Sequence, residues 1–252
     1  MRKYACEVAY DGTPYHGFER QKDYPTVQGE IEKQLSFLLG IETKIKGAGR
    51  TDAGVHALGQ VFSFQAKEIK DLNKFQDALN RLLPRSIEIC STKEVPDSFD
   101  PRHSCCKKRY CYRFSYGLKY PLMGAAMAFL GNRRDFDEAL FIEAIRCYEG
   151  VHKFWNFTTK KEDKDDFIRN VHIEKIKVDP RLRTGEVILA SNGFMTYMVR
   201  MMIGTAFKVA FSVFPLEELK KRLDGNEHNP LSFKAPADGL TLYEVQYKEP
   251  LE

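Results

Sequence analysis

An α+β fold in two ferredoxin-like halves is what the patterning of this chain predicts. Three observations point there. The first hundred residues alternate strand-like and helix-like apolar spacing in the order β-α-β-β-α-β. The residues from Tyr110 onward repeat that order. A length of 252 residues, 43% of them hydrophobic, is enough for one large core or two small packed ones.

The elements follow in order. Lys3–Tyr10 alternates, with Tyr4, Cys6, Val8 and Tyr10 on one face. Thr26 can cap a helix whose apolar face is Val27, Ile31, Leu35, Leu38 and Leu39. Glu42–Lys46 and Val61–Gln65 read as strands on either side of a glycine-rich loop. Asp71 can cap a second helix with Leu72, Phe75, Leu79 and Leu82 on one face, and Pro84 stops it. Ile87–Val95 reads as a strand.

In the second part Tyr110–Tyr116 is a strand, with Tyr110, Tyr112 and Phe114 facing away from Cys111, Arg113 and Ser115. Phe136–Glu149 is a helix burying Leu140, Ala144, Ile145 and Tyr148, closed by Gly150. Val171–Val178 and Glu186–Ser191 are strands. The apolar phase slips between Ile173 and Ile176, which predicts a bulge. Thr196–Phe211 is a Met-rich helix, a short helix follows Pro215, and Leu242–Tyr247 is the last strand. The halves divide as 1–98 and 99–252, with Phe99–Lys108 as connector and Thr158–Asp166 as a charged, mobile loop.

Composition narrows the function. The net charge of +4 permits a nucleic-acid surface without demanding one. Basic clusters stand at Lys44/Lys46/Arg50, Lys107-Lys108-Arg109, Lys160-Lys161, Arg181/Arg183 and Lys220-Lys221-Arg222; each alone reads as a solvated face. Six cysteines form no CxxC pair, and adjacent Cys105 and Cys106 are poor geometry for one bridge. With no signal peptide, reduced thiols and a cytoplasmic location are expected. No apolar run approaches the roughly 20 residues of a membrane span. Six scattered histidines offer no zinc spacing, so no metal is expected.

The stretch from Gly47 to Ala57 is the most informative. One carboxylate, Asp52, sits among glycines and small residues, two positions from Arg50. Gly47, Gly49 and Gly54 let the backbone turn sharply and a ligand come close. Arg50 can hold Asp52 ionised or grip a phosphate. A lone Arg-x-Asp is usually a surface ion pair and nothing more.

The longer motif changes that balance. Arg50-Thr51-Asp52-Ala53-Gly54-Val55-His56-Ala57, followed by Gly59-Gln60-Val61, resembles the active-site motif of the TruA family of tRNA pseudouridine synthases. Other landmarks follow in the family's order: Tyr10-Asp11-Gly12, Gly17-Phe18-Glu19-Arg20-Gln21, Arg109-Tyr110, Met198-Val199-Arg200 and Gly239-Leu240. The resemblance covers nearly the whole chain.

It implies the pseudouridine synthase fold, two halves packed around a central cleft. It implies an RNA-modifying isomerase acting on uridine at the 3′ side of the tRNA anticodon stem-loop. Asp52 is then the nucleophile, and Arg200 pairs with it. Tyr110 stacks on the target base and takes the C5 proton, and Leu240 lines the base pocket. Arg102 is a phosphate contact on the same grounds, and Lys107, Lys108 and Arg109 suit phosphates by their chemistry. No cofactor is implied, because the isomerisation has no redox change. The partners are tRNA and a second copy of the chain. Pro101, Phe18 in place of Trp, and Met201-Met202 depart from the family's pattern, and none of them removes a catalytic group.

Two other readings stand beside this one. Glycoside hydrolysis normally uses two carboxylates about 5–10 Å apart. The motif holds only Asp52, and the next acids outward are Glu42 and Glu68. A catalytically silent or ribosomal-RNA-directed binding protein of the same fold would leave Asp52 and Arg50 without a task, and Lys108–Phe114 lacks the glycines of an RNP1 motif.

Overall fold

A computed structural model describes residues 1–123, 126–159, 167–224 and 228–248. In chain order its elements are β1 (Arg2–Tyr10), α1 (Val27–Leu39), β2 (Lys46–Gly47), β3 (His56–Ala66), α2 (Leu72–Leu82), β4 (Ile87–Val95), β5 (Cys105–Ser115), β6 (Ala128–Phe129), α3 (Glu138–Arg146), β7 (Gly150–Lys153), β8 (Ile168–Asp179), β9 (Thr184–Ser191), α4 (Met198–Ala210), α5 (Leu216–Asp224) and β10 (Leu240–Tyr247). This is the mixed α and β class that the patterning predicts. The chain forms two compact units: Met1–Lys107 with Thr241–Glu252, and Lys108–Leu240.

In the first unit β1 lies between β3 and β4, antiparallel to both. β3 also carries β2 antiparallel and β10 parallel. The face of Tyr4, Cys6, Val8 and Tyr10 is buried as the alternation requires. α1 starts where Thr26 accepts the Gly29 N–H and ends at Gly40, whose φ of 69° suits a residue without Cβ. α2 starts where Asp71 accepts the Lys74 N–H, and it buries Phe75 and Leu79.

The strand expected over Glu42–Lys46 shrinks to Lys46–Gly47. Side chains of α1 explain this. The Thr43 N–H donates to Ser36 Oγ, the Ile45 N–H to Glu32 Oε1, and Gln28 Nε2 donates to the Ile45 carbonyl. Backbone groups satisfied by a helix leave no ladder to form.

In the second unit β9 lies between β5 and β8, and β7 extends β8, all antiparallel. β6 adds a short parallel pair to β5. The bulge expected in β8 is present, between Ile173 and Lys175. The core is aromatic: the Phe114 ring lies 5.0 Å from Phe141 and 4.8 Å from Phe207.

α3 corrects one expectation. Its cap is Asp137, and the buried face is Phe141, Ala144 and Ile145, continued by Tyr148, while Leu140 is only half-buried. Phe141 lies three, four and seven residues before those positions, which centres the stripe on it. β7 was not anticipated. Residues 160–166, which include Lys160-Lys161 and most of the expected charged loop, lie outside the described residues. Among the described residues no helix is long and apolar enough to cross a membrane.

Candidate active site

Asp52 lies in the loop between β2 and β3. The loop leaves the sheet with the Ala48 N–H donating to the Val61 carbonyl at 2.8 Å. Gln60, fully buried, reaches back to donate to the Gly49 carbonyl at 2.9 Å. The Thr51 hydroxyl lies 2.8 Å from the Tyr10 hydroxyl, and the Thr51 carbonyl accepts the Phe18 N–H at 3.1 Å. A turn then closes: the Val55 N–H donates to the Asp52 carbonyl at 3.1 Å, and Gly54, at φ 77°, donates to the Tyr15 carbonyl. Asp52 is thus tied down on both sides, half-buried, next to exposed Ala53.

The segment from Tyr10 to Phe18 forms the cradle for this loop, and glycine makes the fit possible. A Cβ on Gly12 would collide with the Val55 carbonyl oxygen. One on Gly17, at φ 98°, would lie 2.7 Å from the Thr51 carbonyl oxygen. Of the three loop glycines only Gly54 has a positive φ. Gly47 serves differently, since its missing side chain makes room for the Phe18 ring. The loop is held by packing and hydrogen bonds, so its glycines give close approach more than free turning. Burial pushes the Tyr10 hydroxyl well above the ordinary tyrosine range.

His56, the first residue of β3, is buried. Its Nδ1 lies 3.2 Å from the Gly12 amide nitrogen and 3.1 Å from Asp11 Oδ1. Its Nε2 is buried without a hydrogen-bond partner among the described residues. Burial alone would raise the Asp11 carboxyl. Hydrogen bonds from Thr13 pull the other way, and that group lies below the ordinary range.

Arg50 is exposed, and its Nε pairs with Glu19 Oε2. Arg102 is exposed in the turn after Asp100, and Lys107 is half-exposed. Asp100 organises that turn by accepting from Lys46 Nζ at 2.5 Å and from the amides of Arg102 and His103. All of these belong to the first unit.

Lys108, Arg109, Tyr110, Arg200 and Leu240 belong to the second. Tyr110 pairs with Leu189 across β5 and β9, and its half-buried ring meets Phe194 edge-on at 5.3 Å. Tyr112 and Phe114 are buried as expected for their face, but Cys111 and Ser115 on the other face are buried too. Arg109 forks onto Glu174, with Nε at 2.5 Å and Nη2 at 3.3 Å. Lys108 is half-exposed.

Arg200 is the third residue of α4. It neither lies loose in solvent nor is fully buried: its Nε donates to the Ala235 carbonyl at 2.9 Å. Its own carbonyl accepts the Ala235 N–H at 2.8 Å. Gly204 lets this strap lie against the helix, for a Cβ there would sit 2.6 Å from the Phe233 carbonyl oxygen. The residue before α4, Tyr197, has a left-handed φ of 61°, an uncommon state for a bulky side chain. Leu240 is buried at the start of β10.

Sequence reasoning assigned no role to Tyr10, Thr51, His56 or Gln60, although all four stand inside the motifs that carry the resemblance. Among the described residues no group of three or more His, Cys, Asp and Glu side chains is placed to hold a metal ion.

Comparison with known proteins follows the same lines. A family model described as tRNA pseudouridine synthase matches residues 7–104 and 144–248. The tRNA pseudouridine synthase A of Mycoplasmoides gallisepticum is 35% identical over 243 residues, covering 96% of this chain and 89% of the relative. That of Anoxybacillus flavithermus is 34% identical over 251 residues, covering 98% and 99%. That of Borrelia hermsii is 32% identical over 249 residues, covering 98% and 100%. Among solved structures, a chain in a crystal structure of a Cbf5-Nop10-Gar1 complex aligns over 81% of this chain and 54% of that one; at 13% identity and a TM-score of 0.35 the likeness carries no argument.

Proposed function

The chain belongs to the tRNA pseudouridine synthase family, and from that premise we propose that it converts uridine to pseudouridine in tRNA with Asp52 as the nucleophile. The reaction breaks the N1–C1′ bond, turns the base, joins C5 to C1′, gives up the C5 proton and takes one up at N1. Atoms and electrons balance within the nucleoside, so no redox partner is involved. Attack at C1′, attack at C6 and a glycal route all start from an ionised carboxylate.

The observation that carries this reading is the held loop. Asp52 is flanked by Thr51, bonded to Tyr10 and Phe18, and by a turn closed at Val55. A reacting group fixed in advance gains far more than one on a free loop, since a displacement of about 1 Å can cost a hundredfold in rate.

The remaining roles are proposed from the family resemblance and, for Arg50, Lys107, Lys108 and Arg109, from their chemistry. Arg200 keeps the nucleophile ionised, and Arg50 adds positive charge beside it. Tyr110 stacks on the base, a device common to RNA-binding proteins, and its hydroxyl takes the C5 proton. Leu240 lines the base pocket. Arg102, Lys107, Lys108 and Arg109 meet phosphates, and Arg109 does so beside Glu174, which its fork already holds. The target uridine lies at the 3′ side of the anticodon stem-loop and is extruded at a cost of a few kcal/mol. The protein works as a cytoplasmic homodimer.

Pseudouridine has the mass of uridine but reacts with carbodiimide, and the adduct stops reverse transcriptase. Incubation with unmodified tRNA should produce such stops in the anticodon stem-loop with wild-type protein and none with Asp52→Asn. RNA bound without stops by the wild type overturns the reading in favour of a silent RNA-binding protein.

A further inference from the structure

The imidazole of His56 is buried in the Asp52 motif, yet the chemistry proposed above gives it no task. We infer that His56 is a positioning residue for Asp52: its Nδ1 accepts the Gly12 N–H and so fixes the C-terminal side of the catalytic loop. The inference rests on Asp52 being the nucleophile.

Nδ1 faces two groups that it cannot serve together. As a lone pair it accepts from Gly12, 3.2 Å away; carrying a proton it donates to Asp11 Oδ1, 3.1 Å away. The Gly12 bond is buried. The Asp11 side chain is 44% exposed and its Oδ1 already accepts the Thr13 N–H at 2.9 Å. Leaving a buried amide unpaired costs more than a half-exposed ion pair returns. The Gly12 bond therefore decides the ring's state, and the ring proton sits on Nε2.

That choice has a cost in the fold, because Nε2 is buried with no partner among the described residues. An acceptor is thereby kept beside Gly12, and local compromises of that kind collect at functional sites.

The link to Asp52 is short. Gly12 presses against the Val55 carbonyl, so closely that a Cβ has no room. The Val55 N–H closes the turn on the Asp52 carbonyl at 3.1 Å. Gly12 is thus the stop against which this turn rests, and His56 Nδ1 holds the stop in place. The Tyr10–Thr51 contact fixes the other side of Asp52 independently.

The test compares wild type, His56→Leu, His56→Asn and His56→Gln on an unmodified tRNA transcript, by single-turnover rate, RNA affinity and melting temperature. Asn places a carbonyl oxygen close to the position of Nδ1, whereas Gln carries it one bond further out. We expect His56→Leu to lose about a hundredfold in bound-state rate, with affinity within about twofold of wild type. His56→Asn should recover to within about tenfold of wild type, and His56→Gln should not. Wild-type rates in all variants at a temperature where each is folded, with only the melting temperatures lowered, overturn the inference. Equal rates for Asn and Gln overturn it as well, and that pair decides the matter if His56→Leu does not fold. A wild-type protein that makes no pseudouridine removes the function reading itself, and this inference falls with it.

Discussion

The hydroxyls of Tyr10 and Thr51 lie 2.8 Å apart, both buried, with Asp52 the next residue along the chain. β1 thereby reaches 41 residues forward to hold the loop. Tyr10→Phe keeps the ring but leaves the Thr51 hydroxyl buried without this partner, a loss of about 1–3 kcal/mol. The variant should melt lower and turn over more slowly, by about tenfold for each 1.4 kcal/mol of that loss felt in the transition state. A wild-type single-turnover rate at a temperature where the variant is folded would show that this contact serves stability alone.

Asp52→Asn should abolish product while leaving folding and RNA affinity nearly intact. The half-buried residue is flanked by the Thr51 and Val55 backbone bonds, which the substitution leaves in place. Retention of more than about a per cent of the single-turnover rate, with deamidation excluded, would mean a loss of under about 3 kcal/mol in barrier stabilisation. That is too little for a nucleophile.

Two glycine substitutions separate strain from contact. Gly17 and Gly40 both have left-handed φ, 98° and 69°. A Cβ on Gly17 meets the Thr51 carbonyl oxygen, whereas one on Gly40 meets nothing within 4 Å. Gly40→Ala should cost about 1 kcal/mol of stability and leave the rate unchanged. Gly17→Ala should cost more, about 2 kcal/mol or above, and lower the rate. Chemical denaturation with single-turnover kinetics reads both; equal effects of the two changes would sink the claim that Gly17 cradles the Asp52 loop.

How much of this was legible beforehand depends on the range of the interaction. α1 and α2 were legible because Thr26 and Asp71 cap them and the apolar spacing is local. Residues 42–45 were not, because the bonds that satisfy them come from Glu32 and Ser36 on α1. Leu140 misled because it and Phe141 are adjacent and both apolar; the pile of Phe114, Phe136 and Phe207 around Phe141 decides between them. β7 has only four residues, too few to show a period. In the candidate site the motif marked Asp52, but the pins from Tyr10 and Gly12 span more than 40 residues and leave no local pattern.

Acid should weaken the turn that carries Arg102. Burial alone would raise the Asp100 carboxyl, but hydrogen bonds from Lys46, His103 and the Arg102 amide outweigh it and hold the group well below its ordinary value of 3.8. A depressed folded pKa contributes stability that is complete above the unfolded value and is lost as the pH falls below it. Wild type should therefore lose this contribution progressively below about pH 4, and Asp100→Asn should lack it throughout. Melting curves of both proteins between neutral pH and pH 3 check this. A stability gap that stays constant or widens in acid contradicts the assignment.

Tyr110→Phe should bind RNA almost normally yet isomerise it slowly. The Tyr110 ring is half-buried and packs edge-on against Phe194 at 5.3 Å, a contact that Phe retains. Stacking of a base on that ring, worth roughly 1–3 kcal/mol, is retained too. What disappears is the hydroxyl, and a missing general base typically costs about 10²–10⁴-fold. Tyr110→Leu should lose rate and affinity together, because the stacking surface has gone. The two variants thus separate the ring from the hydroxyl when rate and affinity are measured on the same unmodified tRNA. If Tyr110→Phe turns over at the wild-type rate in single-turnover conditions, Tyr110 is a stacking platform only, and the C5 proton leaves to another group.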